Sequence, residues 1–258
     1  MLVWQLYIAN GWHGPVFRQS LRILLVVVAA SSAGPSVAAE TRVDMQLLIA
    51  IDSSGSVDDR EFALQMSGVA RAFRDPEVVA AIASGPHGRI GATVMLWAES
   101  NEPKFTLPWR VIDNADSAAG FADAIETQAR TVFGGTGIGR AIVRAVDVLH
   151  TSPLASPRDV IDISGDGRET TFRDYSVGPN QARFRAMAFG VTINGLAILT
   201  DEPDLASYYA RNVIAGPDAF VMVAETFEDF AAAMKRKLIR EIEYRPQISR
   251  LPRAIGPN

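Results

Sequence analysis

Residues 45–56 read MQLLIAIDSSGS. Seven mostly apolar residues break off at a carboxylate, and two serines follow it at alternate positions. A near-continuous apolar run of this length fits a strand covered on both faces, as in a parallel sheet flanked by helices. The stretch therefore bears on the fold through its first half and on chemistry through its second.

Working outward, strand-like and helix-like stretches alternate along the chain. Residues 58–74 place Phe62, Met66, Val69 and Phe73 at helical steps of three and four. RIGATVMLW (89–97) reads as the next strand. KFTLPW (104–109) reads as an edge strand, because Pro108 has no N–H to give a ladder. Helices are expected over 116–130 and 137–150, the second with Ile138, Ala141, Ile142, Ala145 and Leu149 on one face. DVIDIS (159–164) is a strand, 180–190 a helix and VTINGLAIL (191–199) a strand that ends before the loop around Pro203. AFVMVA (219–224) is a last strand and 226–243 a closing helix, with a proline-bearing, irregular tail after Tyr244. There is no internal repeat and no low-complexity segment. The alternation gives an α/β chain with a largely parallel sheet and helices on both faces. Ligands of such sheets sit beyond the C-terminal strand ends, where the strand order reverses.

Composition bounds the function. The chain has 258 residues, 48% hydrophobic and 21% charged, with a formal charge of −4 and no cysteine. The acidic balance offers no basic surface for nucleic acid or anionic lipid, and disulfides, thiolate catalysis and cysteine zinc sites are excluded. Near the N-terminus, Arg18 and Arg22 flank an apolar run, Ile23 to Ala30, that continues into SSAGPSVAA. Val37 and Ala39 suit the −3 and −1 positions of a signal-peptidase site, so residues 1–39 are expected to be a signal peptide cut before Glu40. A membrane anchor or a buried strand are the other readings of this run, although a bilayer needs about 20 apolar residues. Residues 1–17 precede a normal-looking signal, which places the expected start of translation downstream of Met1. Removing 1–39 deletes two arginines and no acid, taking the charge from −4 to −6. The mature domain is then 40–245, with 246–258 as the tail, in the periplasm or secreted.

Two apolar strands end in polar loops, at 52 and at 164. The first supplies Asp52, Ser54 and Ser56, and the second supplies Asp166 between Gly165 and Gly167. Thr136 lies in FGGTGIGRAI (133–142), at the entry to a helix. All five side chains offer hard oxygen. Such donors suit Mg²⁺, or Mn²⁺, in an octahedral site that usually retains water. Two carboxylates neutralise the ion, three hydroxyls add no charge, and a further anionic oxygen from outside remains welcome.

Each residue also has an ordinary reading. Ser56 and Asp59 form S-x-x-D, a capping box. Thr136 is placed to cap the 137–150 helix, and Asp166 between glycines is a common turn former. Asp52 resists such a reading, since a carboxylate at a buried strand end costs several kcal/mol unless compensated. The glycines of 133–142 also invite a dinucleotide site. However, Gly134, Gly137 and Gly139 are one residue short of the short-chain dehydrogenase spacing, no buried strand precedes them, and that family's Y-x-x-x-K pair is absent. His87 and His150 have no zinc-ligand spacing and no G-x-S-x-G elbow occurs. Asp162 is either a support for the site or a paired buried acid. Trp97 and Trp109 read as core or edge packing. Lys235, Arg236, Lys237 and Arg240, near the end of a helix, read as a solvated face.

DSSGS, then GGT, then SGDG, in that order on an α/β chain, resemble the metal-ion-dependent adhesion site of von Willebrand factor type A domains. SGSVDDREFALQ, AFRDPEVVAAI, GPHGRI and VIDISGDG are similar to a bacterial family known as domain of unknown function 1194, over roughly residues 44–243. The resemblance implies a Rossmann-like, doubly wound sheet with one antiparallel edge strand. It implies Asp52, Ser54, Ser56, Thr136 and Asp166 as metal-site residues, and Mg²⁺ completed by a carboxylate of a partner protein. SGDG departs from the commoner TDG and alters the entry to that loop. Two functions follow from these readings. One is an exported, non-catalytic binding module whose metal is completed by a partner's Asp or Glu. The other is a metal-dependent, phosphatase-like hydrolase with Asp52 as nucleophile, although the second acid such enzymes carry two residues on is here Ser54.

Overall fold

The run at 45–51 forms the middle of a seven-stranded sheet. A computed structural model of the chain describes residues 41–99, 104–171 and 176–243; the expected signal segment and the tail after Tyr244 lie outside them. In chain order the strands are β1 (Thr41–Arg42), β2 (Gln46–Asp52), β3 (Ile90–Trp97), β4 (Phe105–Thr106), β5 (Arg110–Ile112), β6 (Leu154–Ala155), β7 (Asp159–Gly165), β8 (Val191–Ile198) and β9 (Val221–Ala224). The helices among the described residues are α1 (Asp59–Arg74), α2 (Pro76–Ala83), α3 (Ala115–Glu126), α4 (Ile138–His150), α5 (Pro179–Ala188), α6 (Leu205–Asn212) and α7 (Phe230–Ile242).

The main sheet runs β4-β3-β2-β7-β8-β9, and β5 also pairs with β3. The β2–β3, β2–β7, β7–β8 and β8–β9 pairs are parallel, whereas β4 and β5 run antiparallel to β3. The antiparallel edge is thus present but in two short pieces. Leu107 still donates its N–H to the Val94 carbonyl, and then Pro108, with no N–H, interrupts the ladder until Arg110. β1 and β6 form a separate two-stranded parallel sheet. From β2 the chain builds outward to β3 on one side and later to β7 on the other. The strand order therefore reverses between β2 and β7, and their C-terminal ends form the crevice that such sheets use.

Alternation along β2 explains its unbroken apolar run. Leu47, Ile49 and Ile51 face the core shared with α1, α2, α3 and α7. Leu48 and Ala50 face the core shared with α4, α5 and α6. Trp97 is fully buried in that second core, and Trp109 packs partly buried against it. Among the described residues no helix is long and apolar enough to cross a membrane.

Several elements differ from the sequence expectation. α2 and α6 emerge where none was expected, and α7 starts at Phe230 rather than 226. α3 stops at Glu126, so 127–130 form part of a connecting loop. The capping box of α1 belongs to Asp58 and Glu61, not to Ser56 and Asp59: the Asp58 carboxylate accepts from the Glu61 N–H, and Glu61 returns a carboxylate to the Asp58 N–H. The N-cap of α4 is Gly137, and no side chain caps it, so Thr136 does not serve there.

The basic stretch of α7 is not wholly a solvated face. Lys237 is fully buried, with Nζ 2.6 Å from Asp162 and 2.5 Å from Glu241. Asp162 is thereby a paired buried acid. Its strand parity turns it toward α7, opposite the face of Ile161 and Ile163. Asn194 donates to the same Glu241 oxygen at 2.8 Å. One buried ammonium serves two buried carboxyl groups. Burial, and then the Asp162 charge, push the Glu241 carboxyl up to about 8, against the pull of Lys237. Folded Glu241 holds a proton that the unfolded chain releases near its ordinary 4.5. Its contribution is full below that value and is lost as pH rises through about 8. Urea unfolding between pH 5 and 8 should therefore show stability falling with pH. Glu241→Gln should flatten the slope, and Lys237→Ala should cost about 3–5 kcal/mol by leaving Asp162 unpaired.

Candidate metal centre

Asp52 ends β2, and Asp166 follows the last residue of β7. Ile51 is in register with Ser164, so Asp52 and Gly165 leave the sheet side by side. Asp52 continues the Leu48 and Ala50 row of the strand, which aims its carboxylate to the α6 side. Three loops close over it: 52–57, 130–137 and 165–171.

The first loop is held by its own backbone and by Arg130. The Ser54 N–H donates to Asp52 Oδ1 at 2.8 Å, folding the loop back over the carboxylate. Gln65 on α1 donates to the Asp52 carbonyl at 3.1 Å. The Arg130 guanidinium donates to the Ser53 and Ser54 carbonyls at 3.2 and 2.9 Å and pairs with Asp59 at 3.1 Å. It also lies 4.9 Å from the ring centre of Phe133, which is 54% exposed. Arg130 carries no motif in the sequence; it is the last residue of the helix expected over 116–130.

The other loops are tied to the first and to each other. Gly55 donates to the Gly134 carbonyl at 2.7 Å. The Thr136 N–H donates to Thr170 Oγ1 at 2.8 Å, and the Thr170 N–H returns a bond to the Thr136 carbonyl at 2.9 Å. The buried Glu169 carboxylate accepts the Gly139 N–H at 2.9 Å, placing an acid at the start of α4. Gly134 has a φ of +119°, which favours glycine, and a Cβ on Gly139 would meet the Val177 carbonyl at 1.9 Å. These glycines serve loop packing. The phosphate-cradle reading finds no support in them.

The structure brings the expected residues together. Ser54 Oγ lies 3.3 Å from Ser56 Oγ, and Ser56 Oγ donates to Asp166 Oδ1 at 2.9 Å. Thr136 Oγ1 lies beside the Asp166 loop, 3.9 Å from where a Cβ on Gly167 would stand. Asp52, Ser54, Thr136 and Asp166 are buried, whereas Ser56 is exposed and marks the open side. Asp52 Oδ2 and Asp166 Oδ2 are buried with no hydrogen-bond partner among the described residues.

Burial, and then the Asp166 charge, push the Asp52 carboxyl up to about 7; its bonds from Ser54 and the more distant Arg130 oppose this. Burial likewise raises Asp166, against the Ser56 hydrogen bond, with Asp201 and Glu61 adding repulsion. Two desolvated carboxylates with free oxygens, in a ring of neutral hydroxyls, fit a hard divalent cation. Neighbouring donors 2.9 and 3.3 Å apart approach the edge of a Mg²⁺ octahedron, about 2.9 Å for metal–oxygen bonds of 2.0–2.1 Å.

Residues 42–246 match the family described as "Protein of unknown function (DUF1194)". The chain belongs to that family. No curated protein matches it in sequence. In structure this DUF1194 chain is similar to a von Willebrand factor type A protein from Catenulispora acidiphila (TM-score 0.56, 16% identity, covering 78% of this chain and 43% of that one). It is also similar to the vWF domain of the type V pili tip protein Mfa5 from Porphyromonas gingivalis (0.53, 11%, 80% and 98%). A third likeness is to proximal thread matrix protein 1 from the mussel byssus, with a zinc-occupied MIDAS motif (0.52, 16%, 78% and 46%). The chain thus spans less than half of the first and third of these proteins. The DUF1194 domain has the von Willebrand factor A-like fold, and its sheet is mostly parallel as expected.

Arg130 is the constraint on the first loop most open to test. Arg130→Ala should lower stability by about 2 kcal/mol in urea unfolding, through a Ser53 carbonyl left without a donor and a Ser54 carbonyl left with only the Val57 N–H. Arg130→Lys should recover only part, because one ammonium cannot span two carbonyls and Asp59 as a fork does.

Proposed function

We propose that this chain is an exported, non-catalytic protein-binding module that holds Mg²⁺ on Asp52, Ser54, Ser56, Thr136 and Asp166. Mn²⁺ suits the same donors. A partner protein's Asp or Glu completes the shell from the open side, at Ser56. The observation that carries this reading is the pair of buried carboxylate oxygens, on Asp52 and Asp166, that nothing in the described protein satisfies. Zinc in the MIDAS motif of the byssus protein supports a divalent ion in a fold of this kind, and the likeness to the vWF domain of a pili tip protein supports a protein-binding role.

Within this reading each residue has a task. Asp52 and Asp166 cancel the charge of the ion, and the hydroxyls complete its shell without adding charge. Arg130 fixes the backbone that presents Ser54. The partner's carboxylate then meets a cation whose surroundings add little repulsion. Residues 1–39 are read as a signal peptide, 40–245 as the binding domain and 246–258 as an irregular tail, in the periplasm or outside the cell.

Calorimetric titration of Mg²⁺ and Mn²⁺ should show one site in the protein and none in Asp52→Ala. Equal binding by both proteins, or none by either, rejects the reading. Turnover of a generic phosphate ester with Mg²⁺, abolished in Asp52→Asn, would instead favour a hydrolase. The secreted form should begin at Glu40 on N-terminal sequencing; a mature chain retaining Arg18 and Arg22 would count against export by cleavage.

A further inference from the structure

Tyr209 belongs to α6, a helix the sequence pattern did not suggest, and its side chain is fully buried. Its ring lies over β8, where a Cβ on Gly195 would come within 2.7 Å of the ring edge. Its hydroxyl reaches the exit of β7. A Cβ on Gly165 would stand 2.7 Å from Tyr209 Oη and 2.7 Å from Asp52 Oδ2. Two glycines on neighbouring strands thus clear the path that brings this phenol beside the buried carboxylate.

Neither group is satisfied there. Tyr209 Oη and Asp52 Oδ2 are both buried without a hydrogen-bond partner among the described residues. A buried phenolic hydroxyl usually finds a partner, because an unsatisfied one costs about 1–3 kcal/mol. The adjacent Tyr208 shows the ordinary arrangement: its hydroxyl accepts the Glu169 N–H at 3.3 Å, and its ring lies 5.4 Å from the Arg168 guanidinium. Arg168 in turn pairs with Glu202 and Asp204 at 2.6 and 2.5 Å, joining the 165–169 loop to the start of α6. α6 therefore braces the Asp166 loop through Tyr208 and Arg168, and reaches Asp52 only through Tyr209.

We propose that Tyr209 is a positioning residue of the metal centre, its hydroxyl holding the Oδ2 side of Asp52 when the carboxylate engages a divalent cation. The proposal rests on the metal-site reading above. A phenol is suited to this place because it donates one hydrogen bond and adds no charge to a cradle already balanced against the ion. Groups that orient metal ligands from behind typically change affinity 10- to 100-fold when removed.

Tyr209→Phe keeps the ring and removes only the hydroxyl. Its Mg²⁺ and Mn²⁺ affinities by calorimetry should fall about tenfold, while its melting temperature without added metal stays within about 2 °C of the parent. A near-ultraviolet tyrosine difference signal should appear when Mg²⁺ is added to the parent and be missing from the variant. Unchanged affinity, or a difference signal that persists in the variant, overturns the proposal. So does a melting temperature that falls together with affinity, since that marks a general packing role. Metal binding absent from the parent itself would overturn this proposal together with the metal-site reading, whereas binding retained equally by parent and variant removes Tyr209 alone.

Discussion

The arrangement of the whole site follows from two carboxylates brought out of water at the ends of adjacent parallel strands. Asp52 and Asp166 lie where the strand order reverses, so no crossover helix covers the gap between them. Each is mostly desolvated and each retains an oxygen with no partner. The three loops are then arranged around that charge. Ser54 folds back on Asp52, Ser56 bonds to Asp166, and the Thr136 loop is tied to the 165–171 loop through Thr170. Arg130, the nearby cation, directs its donors to the Ser53 and Ser54 carbonyls and to Asp59 rather than to either carboxylate.

A second set of buried acids in the same molecule sharpens the point. Asp162 lies within β7 and faces α7, whereas Asp166, four residues on, lies past the strand end. There the chain provides Lys237 from α7, and Asn194 supports Glu241. For Asp162 and Glu241 the fold supplies an ammonium from within. At Asp52 and Asp166 it supplies hydroxyls and leaves an opening at Ser56. The difference follows position along β7: Asp162 sits within the strand on the face that α7 covers, whereas Asp166 has left the sheet and follows the loop instead of the pleat. One acid on β7 thus becomes an anchor for a helix, and the next carboxylate past the strand end becomes part of a site.

Much of this was legible in the sequence, for identifiable reasons. The long strands are readable because burial on both faces leaves no polar alternation to confuse them, and α1 and α4 because their apolar faces recur at helical steps. Asp52, Ser54, Ser56 and Asp166 are readable because polar residues at strand exits break an apolar run, and Thr136 because it is the one hydroxyl in a glycine loop at a helix entry. What escaped has short range or long reach. α2 and α6 have eight residues each, too few turns for periodicity to accumulate, although Pro76 at the first turn of α2 is a start signal. Lys237 reads as solvent-facing until the partner that buries it, 75 residues upstream, is known. Arg130 and Tyr209 carry no motif, since their roles depend on which backbone they meet.

The loop at 164–167 joins these strands of argument. Its departure from the commoner TDG puts a glycine where a threonine would carry both a Cβ and a hydroxyl. The structure gives that departure a steric reason. With Tyr209 Oη and Asp52 Oδ2 each 2.7 Å from the position a Cβ would take, a side chain at 165 would have to displace one of them. A side chain at 165 and the Tyr209 hydroxyl therefore compete for one volume. A change that reads as a weakened motif along the chain makes room, in three dimensions, for a hydroxyl 44 residues away. That room brings α6, and with it the sheet edge beyond β8 on which the helix packs, up to the crevice of Asp52.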